Sequence, residues 1–407
     1  MEFLTFTTAA EAARLIASFP VAPPPVEEVP LEQATARVLA SSITAAEDIP
    51  PFRRSLVDGY AVKAKDTYGA REGTPAFFRM TGRIGVGRAA HIRVGDGEAV
   101  YVATGAMLPE GADGVVMDEY ARPASDGVEI TRALRKGENV CLAGEDVRTG
   151  QVALEAGRAV SPIDLGLLAA LGFTAVPVYR LPECGLISSG EEIVPAEAIP
   201  GPGQVRDINT HTVSGLIRAH GCRVRFAGIA ADAVDAIAEK LVSLKGCDAI
   251  FLSGGSSKGQ ADFMTAAVER LGGRIVFHGL NIRPGKPTIF AELWDTAVFG
   301  LPGHPVSCAM VVVRFVLPFL SRLRGERAQA PRWSLRGLLE TNVPSTYGIE
   351  EYVRVNVSDG PEGLSVTPIF AKSAVISTLS KADGYVVIPE GKEGLEAGEE
   401  VEVLPFG

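Results

Sequence analysis

Positive charge is scarce in this chain: 39 lysines and arginines face 49 aspartates and glutamates, a formal net charge of -10. A duplex-binding protein needs a basic face, so the balance speaks against nucleic acid as a partner. Cysteine is thin as well. Cys141, Cys184, Cys222, Cys247 and Cys308 are scattered without a Cys-x-x-Cys pair, so buried or free thiols are expected, with no disulfide framework and no zinc site. Long apolar runs are missing: the longest, residues 306–320, is broken by Arg314 and Pro318 and reads as too short for a bilayer. The opening Met1-Glu-Phe-Leu-Thr-Phe has neither the basic start nor the apolar stretch of a secretory leader. The expectation is a cytoplasmic protein with no membrane partner.

What is present is an ordinary globular composition, 46% hydrophobic and 22% charged, over 407 residues, more than one core and so several domains. Residues 7–19 have amphipathic helical spacing, 20–30 form a stiff proline-rich spacer, and 31–39 a short helix. Residues 45–146 carry short strands and glycine turns with almost no helical periodicity. A second apolar helix, 161–172, is capped by Ser161-Pro162 and ended by Gly172, and a strand at 175–179 follows. Between 181 and 325, strands at 184–188, 223–228, 249–252, 274–277 and 297–299 alternate with helices at 210–219, 233–244, 263–271 and 306–320. Beyond 326, strands at 333–339, 352–357, 364–369, 384–388 and 400–404, separated by glycine turns, read as a small barrel.

The richest chemistry lies between Asp248 and Pro287. The apolar strand 249–252 runs into Ser253-Gly254-Gly255-Ser256-Ser257-Lys258-Gly259, and a helix follows. Glycine lets backbone come close to a ligand, and the amide end of a helix favours an anion. Alone, such a turn is either a plain strand-to-helix connection or a phosphate cradle. The next segment favours the cradle: Arg283-Pro284-Gly285-Lys286-Pro287 fixes two cations on a rigid turn, an arrangement suited to phosphate or oxyanion. A third glycine turn, Pro302-Gly303-His304, follows strand 297–299. Successive strands ending in glycine turns suggest one crevice at their carboxyl ends, where open α/β sheets bind ligands.

Together with pieces upstream, these residues resemble the molybdopterin molybdenumtransferase family, which includes the E domain of gephyrin. The pieces are Ser55-Leu-Val-Asp58-Gly-Tyr-Ala-Val62, Thr104-Gly-Ala106, Gly111-Ala-Asp113-Gly-Val-Val116, Gly144-Glu-Asp146, Ser189-Gly-Glu-Glu192, Asp207-Ile-Asn209, the 254–262 loop, Pro284-Gly-Lys-Pro287 and Leu301-Pro-Gly303. Their order and spacing span nearly the whole chain. The resemblance implies a multidomain α/β plus β fold: a three-layer α/β molybdopterin-binding domain at 181–325, an inserted β domain at 45–146, an elongated helical region from 1–44 and 147–180, and a C-terminal small β-barrel at 326–407. It implies an activity too, placing molybdate on the dithiolene of adenylylated molybdopterin with release of AMP, and Mg²⁺ as cofactor. The implied partners are a second copy of the chain, sharing the cleft as a homodimer, and the molybdopterin adenylyltransferase.

On the same resemblance Asp58, Glu192 and Asp262 are expected on the metal, and Asp58, Thr104, Asp146, Glu192, Asp232, Asp262, Arg283 and Lys286 are the catalytic candidates. Asn209, Ser253, Gly254, Gly255, Ser256, Ser257, Gly259, Pro284, Gly285, Pro302, Gly303 and His304 are expected around pterin and phosphate. Acids beside cations suit this chemistry, since a divalent ion held by carboxylates screens the charges that a phosphoanhydride and molybdate bring together. Asp58 ahead of a glycine, and Asp207 and Asp232 ahead of helices, also fit as ordinary turn and cap residues. The Lys372-Ser373 loop fits as solvated chain or as a contact to the cleft.

The chain departs from the family pattern in places. Arg53-Arg54-Ser55-Leu56-Val57 replaces Asp-Asn-Ser-Ala-Met, Lys258 and Gln260 replace valine and glutamate, and His304 replaces asparagine. Pointing inward, the new basic residues make the cleft more positive. The departures leave open a paralogue that binds or hands over pterin without catalysis, and a tungstate-preferring enzyme. The β insert and barrel argue against the adenylyltransferase itself.

Overall fold

The segment Ala249–Ser253 is buried at all five positions, and a strand buried on both faces requires a layer on each side. It lies inside a six-stranded sheet of β1 (Glu183–Ser189), β2 (Arg223–Ala230), β3 (Ala249–Ser253), β4 (Arg274–His278), β5 (Ile289–Leu293) and β6 (Thr296–Leu301), ordered β2-β1-β3-β6-β5-β4. Strand β1 is parallel to β2 and β3, β3 is parallel to β6, and β5 runs against both β6 and β4. Side chains alternate between two cores. Leu186, Phe251 and Phe299 pack with Val213 and Ile217 of helix Asn209–Ala219 and Met310 of helix Pro305–Val311. Ile187, Ile250 and Val298 pack with Leu241 of helix Val234–Ser243 and Met264 and Val268 of helix Gln260–Arg270. The computed structural model describes residues 6–254, 260–327, 334–360 and 363–406, with backbone alone at 260–262.

Strand β5 has no counterpart in the sequence reading. It pairs with β6 through a two-residue hairpin at Trp294-Asp295, where both residues have positive φ (53° and 61°). Such turns ordinarily carry asparagine or glycine, so the usual signal is absent. The apolar helix also differs: it continues from Pro305 to Leu323, 19 residues, long and apolar enough to cross a bilayer. Two-thirds of it (67%) is buried inside the protein, so it is a core helix. Pro318 does not break it, because a wider π-helical turn at Val312–Val316 precedes the Leu317–Leu323 segment and absorbs the missing N–H.

The N-terminal helix Ala9–Ser18 is capped by Thr8, whose hydroxyl accepts the Glu11 N–H at 3.2 Å. It packs into the α/β core: the Phe19 ring lies 5.7 Å from Phe290 and 6.0 Å from Phe319, edge on. Arg322 donates to the carbonyls of Ile16 and Phe19 at 3.0 and 2.9 Å, satisfying the helix end. The proline-rich spacer gives way to a strand, Val26–Pro30, paired antiparallel with Ala175–Tyr179. The helix expected at 31–39 is a single 3₁₀ turn, Leu31–Gln33, since the chain reverses at Ala36 (φ 62°). Leu39, Ile43, Leu154 and Val176 share a separate core with Leu168 of helix Pro162–Ala170, where Ser161 and Asp164 form a reciprocal capping box.

Between these halves lies a six-stranded sheet ordered Gly114–Met117, Gly59–Val62, Glu98–Val102, Ala76–Ile84, Gly127–Ile130, Ala121–Ala124, with apolar clusters around Val100 and Phe78. At the other end, Glu350–Gly360, Gly363–Pro368, Leu335–Leu339 and Glu400–Val403 pair in turn. Gly384–Ile388 closes the ring, bonded to Glu350–Gly360 and bridged at Tyr385 to Leu404.

Candidate active site

Strands β1, β3 and β6 end side by side, with Ser188 opposite Ser253 and Ser253 opposite Leu301. Their glycine turns therefore meet at one edge. Gly254 has φ 111°, and a Cβ there would lie 2.0 Å from the Ser189 carbonyl oxygen, so only glycine fits. Asn209, at the start of its helix, donates from Nδ2 to the Gly303 carbonyl at 2.8 Å and ties that helix to the Pro302-Gly303 turn. Asp207 accepts the Thr210 N–H at 3.0 Å and acts as a cap, although the formal cap position is Ile208.

Among the described residues, this edge holds polar atoms without protein partners. Ser189 Oγ, Asn209 Oδ1 and Thr210 Oγ1 are buried with no hydrogen bond, and Ser253 Oγ has only the weakly bonding Cys308 thiol beside it. The four residues are 3%, 8%, 7% and 1% exposed. A buried polar atom left unpaired costs about 1–3 kcal/mol, and native proteins hold few of them. Several at one edge make it the candidate seat for a polar ligand. Burial pushes the Cys308 thiol up to about 12, against a smaller downward pull from the Ser253 hydroxyl, so it stays protonated. Ser189 and Thr210 are absent from the candidates drawn from sequence. A hydroxyl at a strand end before glycine, and another beside Asn209, were the available signals, but burial is not visible in sequence.

The two cations part. Lys286 lies on the segment entering β5, whose first residue, Ile289, pairs with Gly300 near the end of β6, so it stands at the same edge. It is exposed, its ammonium 4.1 Å from the centre of the Phe6 ring. Arg283 is drawn to the barrel: Ile282–Arg283 pairs with Glu350–Glu351, and the guanidinium reaches Glu351 at 3.4 Å and Thr346 at 3.2 Å. Pro284 and Gly285 connect them, and a Cβ on Gly285 would strike Ile282 and Val311 at 2.7 and 2.8 Å. His304 is exposed, with Nδ1 3.0 Å from Ser373 Oγ.

Asp58 and Thr104 meet on the insert, 2.7 Å from Oδ1 to the Thr104 N–H nitrogen and 3.2 Å to its hydroxyl. Next to Gly59, the backbone approaches so closely that a Cβ would lie 1.9 Å from the Val116 carbonyl oxygen. Tyr101 donates to Asp118 at 2.9 Å and lies under the Arg83 guanidinium, 4.1 Å from the ring centre; neither Tyr101 nor Asp118 was singled out in the sequence. Arg53 donates to the Ala112 carbonyl at 3.3 Å.

The other acids are dispersed. Asp146 is exposed, its N–H bonded to the Ile49 carbonyl at 3.0 Å. Glu192 is exposed beyond the Gly190 turn, and half-buried Asp232 follows β2. Gly255, Ser256, Ser257, Lys258 and Gly259, and the side chains of Gln260 and Asp262, lie outside the described residues. Among the described residues no three His, Cys, Asp or Glu side chains are grouped to hold a metal. Asp58 fits Mg²⁺ as a single arm, both its bonds falling on Oδ1, and Mg²⁺ commonly takes one or two carboxylates and keeps its waters.

A doubly covered α/β sheet with buried polar atoms at its carboxyl edge, carrying a β insert and a closed barrel, is the build of a multidomain protein, and open α/β sheets take small molecules at that edge. Residues 7–172 match the MoeA N-terminal region (domain I and II), 185–322 the "Probable molybdopterin binding domain", and 336–406 the MoeA C-terminal region (domain IV). The chain belongs to the MoeA family. It is 35% identical to a molybdopterin biosynthesis protein of Methanocaldococcus jannaschii, over 93% of this chain and 92% of that one. It is 33% identical to the molybdopterin molybdenumtransferase of Bacillus subtilis, over 93% and 89%. A crystal structure of the molybdopterin biosynthesis MoeA protein from Pyrococcus horikoshii superposes with a TM-score of 0.86 at 31% identity, covering 98% of this chain and all (100%) of that one.

Proposed function

We propose that the chain acts as a molybdopterin molybdenumtransferase, placing molybdate on the dithiolene of adenylylated molybdopterin. An oxygen of water or molybdate breaks the phosphoanhydride bond to the adenylate, the two dithiolene sulfurs displace oxygen from molybdenum, and AMP and water leave. The observation that carries this reading is the set of Ser189 Oγ, Asn209 Oδ1 and Thr210 Oγ1, with Ser253 Oγ, left without partners among the described residues at the glycine-lined edge. Neutral donors and acceptors suit the pterin ring, and Lys286 at the same edge suits phosphate or molybdate. We assign 181–325 as the pterin-holding domain, 45–146 as the insert that offers Asp58 and Thr104, 1–44 with 147–180 as the connecting region, and 326–407 as the barrel.

Bound Mg²⁺ would screen the charge of phosphoanhydride and molybdate. Asp58 would be one of its arms, with Glu192 and Asp262 the other acids we assign to it. Asp146, Asp232 and Arg283 are assigned to the surrounding charge balance. Asp58 bonds to the insert's own Thr104, and we assign it to the crevice of a second copy, making the working unit a homodimer with a shared cleft. The adenylyltransferase would supply the substrate, in the cytoplasm.

The test is direct. Purified protein is incubated with adenylylated molybdopterin, molybdate and Mg²⁺, and AMP is followed. Tight pterin binding without AMP release would replace catalysis with storage or hand-over. Sedimentation as a monomer at micromolar concentration would sink the shared cleft.

A further inference from the structure

His304 occupies the N-cap position of helix Pro305–Val311, yet its side chain makes no cap hydrogen bond. Asn, Asp, Ser and Thr are preferred there because their short side chains reach the first amides. The imidazole turns away instead. Its Nδ1 is 3.0 Å from Ser373 Oγ, and two residues on the Val306 N–H donates to the Ser373 carbonyl at 3.1 Å. Ser373 is thus held through side chain and backbone by one turn of another domain.

The two ends of this contact are anchored differently. Behind His304, the Gly303 carbonyl accepts from Asn209, the residue that carries an unpartnered Oδ1 at the crevice. Behind Ser373, Arg354, 7% exposed, donates to the Ala371 carbonyl at 2.8 Å and to Thr378 Oγ1 at 2.9 Å. The 369–376 loop is pinned at its base by its own barrel and near its tip by the α/β domain. Lys372, exposed, lies between the two anchors.

We infer that His304 is a positioning residue, holding the Lys372-Ser373 loop at the crevice edge so that Lys372 faces an anionic ligand there. This rests on the pterin reading of the crevice for the ligand, but not for the latch. An asparagine at 304 caps the first helix amides instead, so it keeps a polar helix start while losing the bond to Ser373.

Hydrogen exchange over 369–377 and steady-state AMP release are measured for the parent, His304→Ala, His304→Asn, Ser373→Ala and the Ala/Ala double variant. His304→Ala is expected to speed exchange at 371–375 and to raise KM for adenylylated molybdopterin, each about three- to tenfold, with kcat within about twofold. His304→Asn is expected to follow His304→Ala in both readouts, and the double variant is no worse than His304→Ala, because the two residues make one bond. Unchanged exchange in His304→Ala, an asparagine variant that exchanges as slowly as the parent, or additive effects in the double variant would each overturn the latch. A parent that releases no AMP defeats the functional reading alone, since exchange still decides the latch.

Discussion

Thr104 gives both its backbone N–H and its hydroxyl to one oxygen of Asp58, across 46 positions of sequence. The carboxylate is oriented by a neighbouring strand end through one oxygen. Both residues are exposed, so neither is needed to build the insert. Asp58→Ala is expected to slow AMP release at least about a hundredfold, the scale of removing a preorganised charge. Thr104→Ala keeps the N–H bond and should cost only about three- to tenfold. Melting temperatures within about 2 °C of the parent would separate these effects from misfolding.

Gly254 is where site and fold constrain each other. Replacing it with alanine sets a methyl group 2.0 Å from the Ser189 carbonyl oxygen at φ 111°. Strands β1 and β3 must then part at the edge that carries the ligand's polar atoms. Gly254→Ala should lose about 2–4 kcal/mol in urea unfolding and weaken pterin binding in parallel. A variant as stable as the parent would show that the two strand ends are not locked together.

Lys286 and Arg283 have unequal freedom despite their closeness in sequence. Arg283 is already engaged by Glu351 and Thr346, while among the described residues Lys286 has the face of Phe6 and no ion pair. Lys286→Gln is therefore expected to raise KM for the adenylylated substrate about tenfold, and Arg283→Gln about threefold or less. Equal effects would contradict this ranking.

Asp164 predicts a pH dependence of stability. Burial works to raise its pKa, but the Ser161 N–H and hydroxyl and the Arg158 guanidinium outweigh it, and the carboxyl titrates below its ordinary value. A group depressed in the folded state stabilises above its unfolded pKa, about 3.9, and that contribution is lost as pH falls through its folded value. Melting temperature should thus drop below about pH 4, and Asp164→Asn should flatten part of the drop while costing about 1 kcal/mol at pH 7.

The alternation of strands and helices across the α/β domain was legible because apolar period and glycine punctuation are local. Glycine turns after 188, 253 and 301 also announced a crevice, since parallel neighbours must end together. Strand β5 was hidden by a hairpin turn of tryptophan and aspartate. Arg283 was read as an anion ligand because its pairing with Glu350–Glu351, 68 residues later, leaves no local trace. Ser189 and Thr210 were not picked as site residues for a related reason: an unpaired hydroxyl is defined by what surrounds it in space.

The placement of helix Ala9–Ser18 bears on how the protein is made. Its apolar stripe, with Phe19, is covered by Phe290 and Phe319 and fastened by Arg322. On the ribosome this helix must wait, its greasy side uncovered, until nearly three hundred further residues have emerged. Assembly of the largest core is therefore a late event of synthesis, and a prematurely terminated chain carries an adhesive end for chaperones or aggregates to seize.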